Sequence, residues 1–543
     1  MKQIKHVIYY MLENRSFDNL LGWLYSQDNP PKQLIANDKL KDQAFYGLEE
    51  NKYFNCFKGD DTKHYVTKGT ATLDMPNPDP HEPYSHMTYQ LFGHSNPKPD
   101  EIPDMSGFLN DYAQLSGIKT NALVEHFWSG SSNKAEALQI LNTYTPEQLP
   151  IINGLAKHYA VSDHWFASVP SQTNCNRGFS LCGTSLGLVN NGDGPFKTRN
   201  IWDVLSENGY STPDDWMIYY QSKTTQFKWE FWNDNKFCYT EETFVVPDQA
   251  NHVASIDEFF AKAKQGELPA FSYIEPDWIG DIAGAVEGVG KLLGETAADV
   301  AGQKGREAVE GMISTSVPNS YHPPSEVSSG EQFLQQLYQV MNSTEQAKAA
   351  WQNTVLIISF DENGGIYDHV PPPNNATPPW GNTKPDFELE DGFEFDRFGV
   401  RVPMILASPW IDEQTVFRTT TDVPFDHTST IATILNWKGI DKAKWNLGER
   451  VANAPTWDGV LNRDKPRTDF PNLELASDCK APMDKQTMPI SPMQATMLPK
   501  ILTKACGGKL DSAQIHAAVD GILKTAKTVA QLHQAIIDFA NKQ

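Results

Sequence analysis

Residues 355–373, VLIISFDENGGIYDHVPPP, set the tightest limit on what this chain can fold into. Val355, Leu356, Ile357 and Ile358 lead through Ser359 and Phe360 into Asp361, Glu362, Asn363, Gly364 and Gly365. An apolar run of this length, closed by turn residues, reads as a strand buried on both faces in a parallel sheet. Ligands of open α/β sheets sit at the carboxyl ends of strands. Two adjacent carboxylates at such an end repel unless a cation, a shared proton or solvent compensates them. The glycines allow backbone to pass close to whatever lies there, and Pro371–Pro373 stops any regular element.

The same pattern occurs at Ile4–Leu12, where IKHVIYYML reads as a second buried strand followed at once by Glu13, Asn14, Arg15, Ser16 and Asp18. Residues 30–110 read as irregular, with His81 and His86 in a proline-rich loop. Thr145, Pro146 and Glu147 predict a helix start, with a short strand to follow at Tyr159–Ser162. In SVPSQTNCNRGFSLCGTS (168–185), small hydroxyl residues precede Arg177 and a helix, an arrangement suited to an oxyanion. Further units are a helix and strand over 201–225, a strand over 268–276 ending in Glu275, and a helix after the His322 loop in 319–338. A strand in 399–410 and a helix after Asp426-His427 in 425–437 follow. This alternation predicts one large α/β domain over 1–475 and a helical C-terminal extension over 476–543. Residues 279–316 are rich in Ala and Gly, and Ile282, Val286, Val289 and Leu293 recur at helical spacing. They predict a weakly amphipathic helical insertion, either packed as decoration or acting as a flap that meets lipid.

With 543 residues and a formal net charge of −23, the chain is poorly suited to nucleic acid or to simple electrostatic adhesion to anionic lipid. Six cysteines show no CxxC spacing for a thiolate zinc site. The first residues do not read as a cleavable signal peptide, and no stretch reaches membrane-spanning length. The expectation is export without an evident N-terminal signal, or as a mature form, with the cytoplasm as the alternative.

The oxygen-bearing pieces are Glu13 and Asn14, Thr173, and Asp361 with Glu362. Carboxylates, an amide and a hydroxyl are hard ligands suited to Ca²⁺, Mg²⁺ or Mn²⁺, and Zn²⁺ also accepts carboxylates. One or more such ions would activate a hydroxyl and polarise a phosphoryl oxygen. Arg177 offers a planar clamp for phosphate oxygens. His81, His322 and His427 offer protons to a leaving alkoxide. These parts suit phosphoester hydrolysis through a phosphorylated threonine.

ENRSFDN (13–19), TNCNR (173–177), SYHPPSEV..GE (320–331), DENGGIYDHVPPP (361–373), GVRVPMILASPW (399–410) and FDHTS (425–429) occur in this order. Together they resemble the phosphoesterase family of bacterial and plant non-specific phospholipases C and bacterial acid phosphatases, across residues 4–440. The resemblance implies an alkaline-phosphatase-like fold: a central, mostly parallel sheet flanked by helices, with loop insertions and a small helical tail. It implies a metal held by Glu13, Asn14, Thr173, Asp361 and Glu362, with Thr173 as nucleophile and His81 and His322 near the phosphate. Two departures stand out. Cys175 replaces the family's proline in the TxPNR block, and the 279–316 insertion is not a family feature. The expected activity is a phospholipase C on phosphatidylcholine-like lipids, giving diacylglycerol and a phosphorylated head group through peripheral membrane contact. The alternative is a broad acid phosphatase on soluble monoesters. A catalytically silent scaffold is a third reading, and the intact ligand set argues against it.

Overall fold

The computed structural model describes residues 1–119, 130–192, 195–228, 231–280, 317–480, 488–506 and 509–542. Ile282, Val286, Val289 and Leu293, with the rest of 281–316, lie outside them. The main sheet has nine strands. In chain order these are β1 (His6–Leu12), β2 (Gln33–Ile35), β3 (Ala160–Ser162), β4 (Trp216–Tyr220), β5 (Val253–Ser255), β6 (Phe271–Ile274), β7 (Thr354–Phe360), β8 (Met404–Ala407) and β9 (Thr415–Phe417). Their spatial order is β5-β4-β6-β1-β7-β8-β3-β9-β2. β8 runs against both its neighbours, and the remaining pairings are parallel. The α/β architecture read from the sequence is therefore present.

The two strands singled out by their apolar runs are neighbours at the centre. β1 and β7 pair in register from His6↔Thr354 to Leu12↔Phe360. Every residue of Val7–Leu12 and Thr354–Phe360 is buried, so side chains on both faces are covered. Each buried aliphatic side chain here contributes roughly 1.5–3 kcal/mol relative to exposure. Because the register is level, Glu13 and Asp361 leave the sheet side by side, and Asp361 N donates to Leu12 O at 3.1 Å.

The turns after these strands interlock. Asn14 adopts φ 56°, and Gly364 lies so close that a Cβ there would meet Asn14 O at 2.5 Å. A Cβ on Gly365 would meet His81 O at 2.4 Å. The double glycine therefore lets the β7 turn pack against two other segments, and the atoms it approaches belong to the chain itself.

Two expectations need correction. The helix expected from Thr145 begins five residues later, at Pro150–His158. Pro150 has no N–H to leave unpaired and takes the first helical position, while Thr145 and Gln148 close a turn ahead of it. His86 stands in no loop but on a nine-residue helix, Tyr84–Phe92, that sequence reading missed. Every residue of that helix from His86 onward is buried, so it has no polar stripe to betray it. The tail is helical as expected, at Pro492–Ala505, Ser512–Thr525 and Val529–Lys542. Leu498, Ile501, Leu502, Val519 and Ile536 join the same apolar core as the sheet.

Candidate functional site

Glu13, Asn14, Thr173, Asp361 and Glu362 are each no more than 1% exposed. Asp361 is the most constrained. Its Oδ1 accepts from Asn14 N (3.2 Å) and Glu362 N (2.7 Å), and its Oδ2 from Arg177 Nε (3.0 Å). Glu362 Oε2 accepts from Gly364 N at 2.6 Å. What remains is a set of buried oxygens with no partner: Glu13 Oε1, Asn14 Oδ1, Thr173 Oγ1 and Glu362 Oε1. Burial, then Asp361, pushes Glu13 well above the usual carboxylate range, and Arg177 only partly opposes this. Burial and the charges of Glu82 and Asp361 do the same to Glu362. Carboxyls held so far from their ordinary range by burial and by one another fit a site that takes a cation.

Thr173 opens the helix Thr173–Cys182, and Arg177 lies one turn further along the same face. Since Arg177 bonds Asp361, that face of the helix is turned to the strand ends. The turn before Thr173 is tied down by Asn176, which accepts from Val169 N (3.1 Å) and donates to Ser171 O (2.8 Å). Cys175, in the place of the family's proline, is buried among Val169, Phe179, Val189, Phe393 and Phe395. Cys175 is the third residue of the helix, and the side-chain bonds of Asn176 hold the turn that precedes it.

Arg177 is wholly buried and heavily engaged. Besides Asp361 it donates to Tyr273 Oη, Met11 O and Leu12 O, each at 3.2 Å, and its guanidinium lies 4.5 Å over Trp278. Four donor contacts leave little for phosphate. The structure places it as a brace between the Thr173–Cys182 helix and the β1 end.

The family model for the phosphoesterase family matches residues 4–440. The chain belongs to the phosphoesterase family. Non-specific phospholipase C6 of Arabidopsis thaliana is 28% identical over 507 residues, covering 91% of this chain and 79% of that protein. Non-specific phospholipase C1 of the same plant is 29% identical, covering 86% and 73%. Phospholipase C B of Mycobacterium tuberculosis is 23% identical, covering 87% and 81%. Among solved structures, a member of the alkaline phosphatase superfamily from Vibrio parahaemolyticus is 12% identical with a TM-score of 0.30, covering 57% of this chain and 65% of that one. A likeness of that degree carries no argument, and the α/β class rests on the sheet itself. The chain is a phosphoester hydrolase.

The histidines of this phosphoesterase fall into two kinds. Burial brings His322 down to about 3 and His427 to about 4, so both are neutral at neutral pH. At both, burial thus works against the protonated form that a general acid needs. His427 Nε2 instead bonds Asp361 O at 2.6 Å, and His322 Nε2 meets Asn14 Nδ2 at 3.0 Å. His81 sits 3.6 Å from the Asp111 carboxylate and stacks on His86, which bonds Asp111 at 2.8 Å. His322 in turn lies 3.6 Å from Asp79 and 3.5 Å from Glu82.

Sequence reading missed Asp79, Glu82 and Asp111. Asp79 and Glu82 flank His81 in the PDPHEP run, and acids alternating with a histidine between prolines were the available signal. Asp79, Glu82 and His322 bring one ligand atom each within 4.8 Å of one another, and His81, His86 and Asp111 form another such group. Asp18, Asp368 and His369 form a third, in which Arg401 pairs with both acids.

Proposed function

We propose that this phosphoesterase is a metal-dependent phospholipase C, cleaving phosphatidylcholine-like lipids to diacylglycerol and a phosphorylated head group, with Thr173 as the covalent nucleophile. The observation that carries this reading is the set of unpartnered buried oxygens on Glu13, Asn14, Thr173 and Glu362. Leaving even one buried polar atom unsatisfied costs about 1–3 kcal/mol, and hard oxygens of this kind suit a divalent cation. With Asp361 alongside, these residues would hold the ion, which supplies Lewis acidity and lowers the pKa of a hydroxyl bound to it. Relatives named as non-specific phospholipases C, spanning most of the chain, support the lipid substrate.

The chain's own residues do the rest. In the first half-reaction Thr173 Oγ1 gives its proton to solvent and bonds to phosphorus, and the bond to the glyceride oxygen breaks. That oxygen takes a proton from His81, which lies 3.6 Å from the Asp111 carboxylate. In the second, water gives a proton to His81 and attacks phosphorus, Thr173 Oγ1 leaves and recovers a proton from solvent, and the phosphorylated head group departs. Arg177 and Asn176 fix the start of the nucleophile's helix throughout.

The test is product analysis with phosphatidylcholine vesicles and a soluble phosphomonoester, each with added divalent metal. Phosphocholine and diacylglycerol are the expected products. Inorganic phosphate from the monoester with no phosphocholine from the vesicles would replace this reading with an acid phosphatase.

A further inference from the structure

A second cluster of ligand atoms lies beside the proposed ion, and the ligand set above makes no use of it. Asp79, Glu82 and His322 are each no more than 2% exposed and lie within 4.8 Å of one another through their ligand atoms. Both oxygens of Asp79 lack any hydrogen-bond partner. Burial and the charge of Glu82 push the Asp79 carboxyl well above its usual range. The other two His-acid groups differ on this point. Asp111 accepts from His86 and from Gln90, and Asp18 and Asp368 are paired with Arg401. Among the described residues, only the Asp79 group keeps a carboxylate with neither oxygen satisfied.

His322 is presented as a ligand should be. Its Nδ1 faces Pro323 O, the kind of backbone contact that fixes a tautomer and leaves Nε2 as the lone-pair nitrogen. Nε2 lies 3.5 Å from Glu82 Oε1. The Asn14 carboxamide stands at the border of the two sites. Its Nδ2 contacts both Glu82 Oε1 and His322 Nε2, while its Oδ1 has no partner. The amide hydrogens thus occupy the place of positive charge between these two ligands.

Charge points the same way. Glu13, Asp79, Glu82, Asp361 and Glu362 influence one another electrostatically, and the guanidiniums among them are Arg15 and Arg177. Fully ionised, the carboxylates outnumber the guanidiniums by three. One divalent cation leaves the group still negative, and a second makes it able to receive a phosphate anion.

We propose that Asp79, Glu82 and His322 hold a second divalent cation, with the Asn14 carboxamide moving aside or turning its oxygen towards it. A donor set of two carboxylates and an imidazole favours Mn²⁺ or Zn²⁺ over Ca²⁺ and Mg²⁺, which take oxygen alone. This deepens the metal-dependent reading, which concerns the Glu13 set.

The experiment is equilibrium dialysis of chelator-treated full-length protein against Mn²⁺, with electron paramagnetic resonance of the bound ions. Wild type is expected to hold two ions per chain, magnetically coupled. The Asp79→Asn, Glu82→Gln double variant is expected to hold one, with an uncoupled spectrum. Glu13→Gln is expected to keep the ion that the double variant loses. Should the double variant fail to fold by circular dichroism, His322→Gln makes the same measurement. Equal Mn²⁺ in wild type and in the Asp79 or His322 variants overturns the second site. If that shared ion is lost only in Glu13→Gln, the proposed function stands without it. One ion, lost in the Asp79 variants and kept in Glu13→Gln, upholds this site and overturns the first. No bound Mn²⁺ in wild type overturns both.

Discussion

Replacing Arg177 by alanine separates a brace from a phosphate clamp. In the structure the guanidinium pairs with Asp361 at 3.0 Å, both side chains wholly buried, and ties Met11 and Leu12 carbonyls to the Thr173–Cys182 helix. Removing one partner of a buried ion pair costs about 3–5 kcal/mol, because the other charge is left uncompensated. Unfolding entropy of about 2.1 cal/mol/K per residue gives a chain of this size roughly 1 kcal/mol per kelvin. The melting temperature should therefore fall by about 3–5 °C. The pH dependence has a definite sign. Burial already raises the Asp361 pKa and Arg177 opposes it, so without Arg177 it rises further. A carboxyl raised in the folded state favours folding while protonated, and that stability is lost as pH rises through the folded pKa. The deficit of Arg177→Ala should thus be largest at pH 8 and shrink towards pH 5. Calorimetry at these pH values, with kinetics on a soluble phosphodiester, is the assay. A variant that melts within about 1 °C of wild type, with only its KM raised, would refute the brace and restore the clamp.

Other outcomes follow from the same geometry. Thr173→Ala should lower kcat by several orders of magnitude and Thr173→Ser should retain part of it. Turnover of the alanine variant within about tenfold of wild type (~1.4 kcal/mol) removes Thr173 as nucleophile. Glu13→Gln should lose bound metal and kcat together, and chelation should reproduce the loss reversibly; full activity after exhaustive chelation would contradict the metal reading. Glu331 accepts from Ile151 N and Ile152 N at the start of helix Pro150–His158, yet burial raises it to about 7. Its protonated form stabilises the fold at low pH, and this contribution is lost as pH rises through about 7. Glu331→Gln should therefore flatten the fall in urea midpoint between pH 5 and pH 8, and an unchanged pH profile would remove Glu331 as its source.

The central strands were legible because both are covered on both faces, which leaves an unbroken apolar run ending in turn residues. Their adjacency was not, since pairing register depends on residues hundreds of positions away. The motif blocks named Glu13, Asn14, Thr173, Asp361 and Glu362, and all five are buried, four just past the β1 and β7 ends and Thr173 at a helix start. The brace made by Arg177 was not legible, because a sequence shows a guanidinium's donors but not what already accepts from them. Asp79 and Glu82 escaped notice for the opposite reason: proline-rich surroundings look like exposed loop, while the fold carries this run into the interior. The helix Tyr84–Phe92 was hidden by its burial, which mixes His86, Thr88 and Gln90 with apolar neighbours.

The level pairing of β1 with β7 has a consequence for biosynthesis. Glu13 and Asp361 meet only when residues 6–12 have found residues 354–360, so during translation the first strand waits for a partner made much later. Contacts this distant are slow to form and leave sheet edges exposed meanwhile. No partial chain ending before residue 361 can assemble the site. A ribosome making this phosphoester hydrolase would thus carry an inert polypeptide until residue 361 has been made. Hydrolytic competence would arrive as a late, all-or-none event.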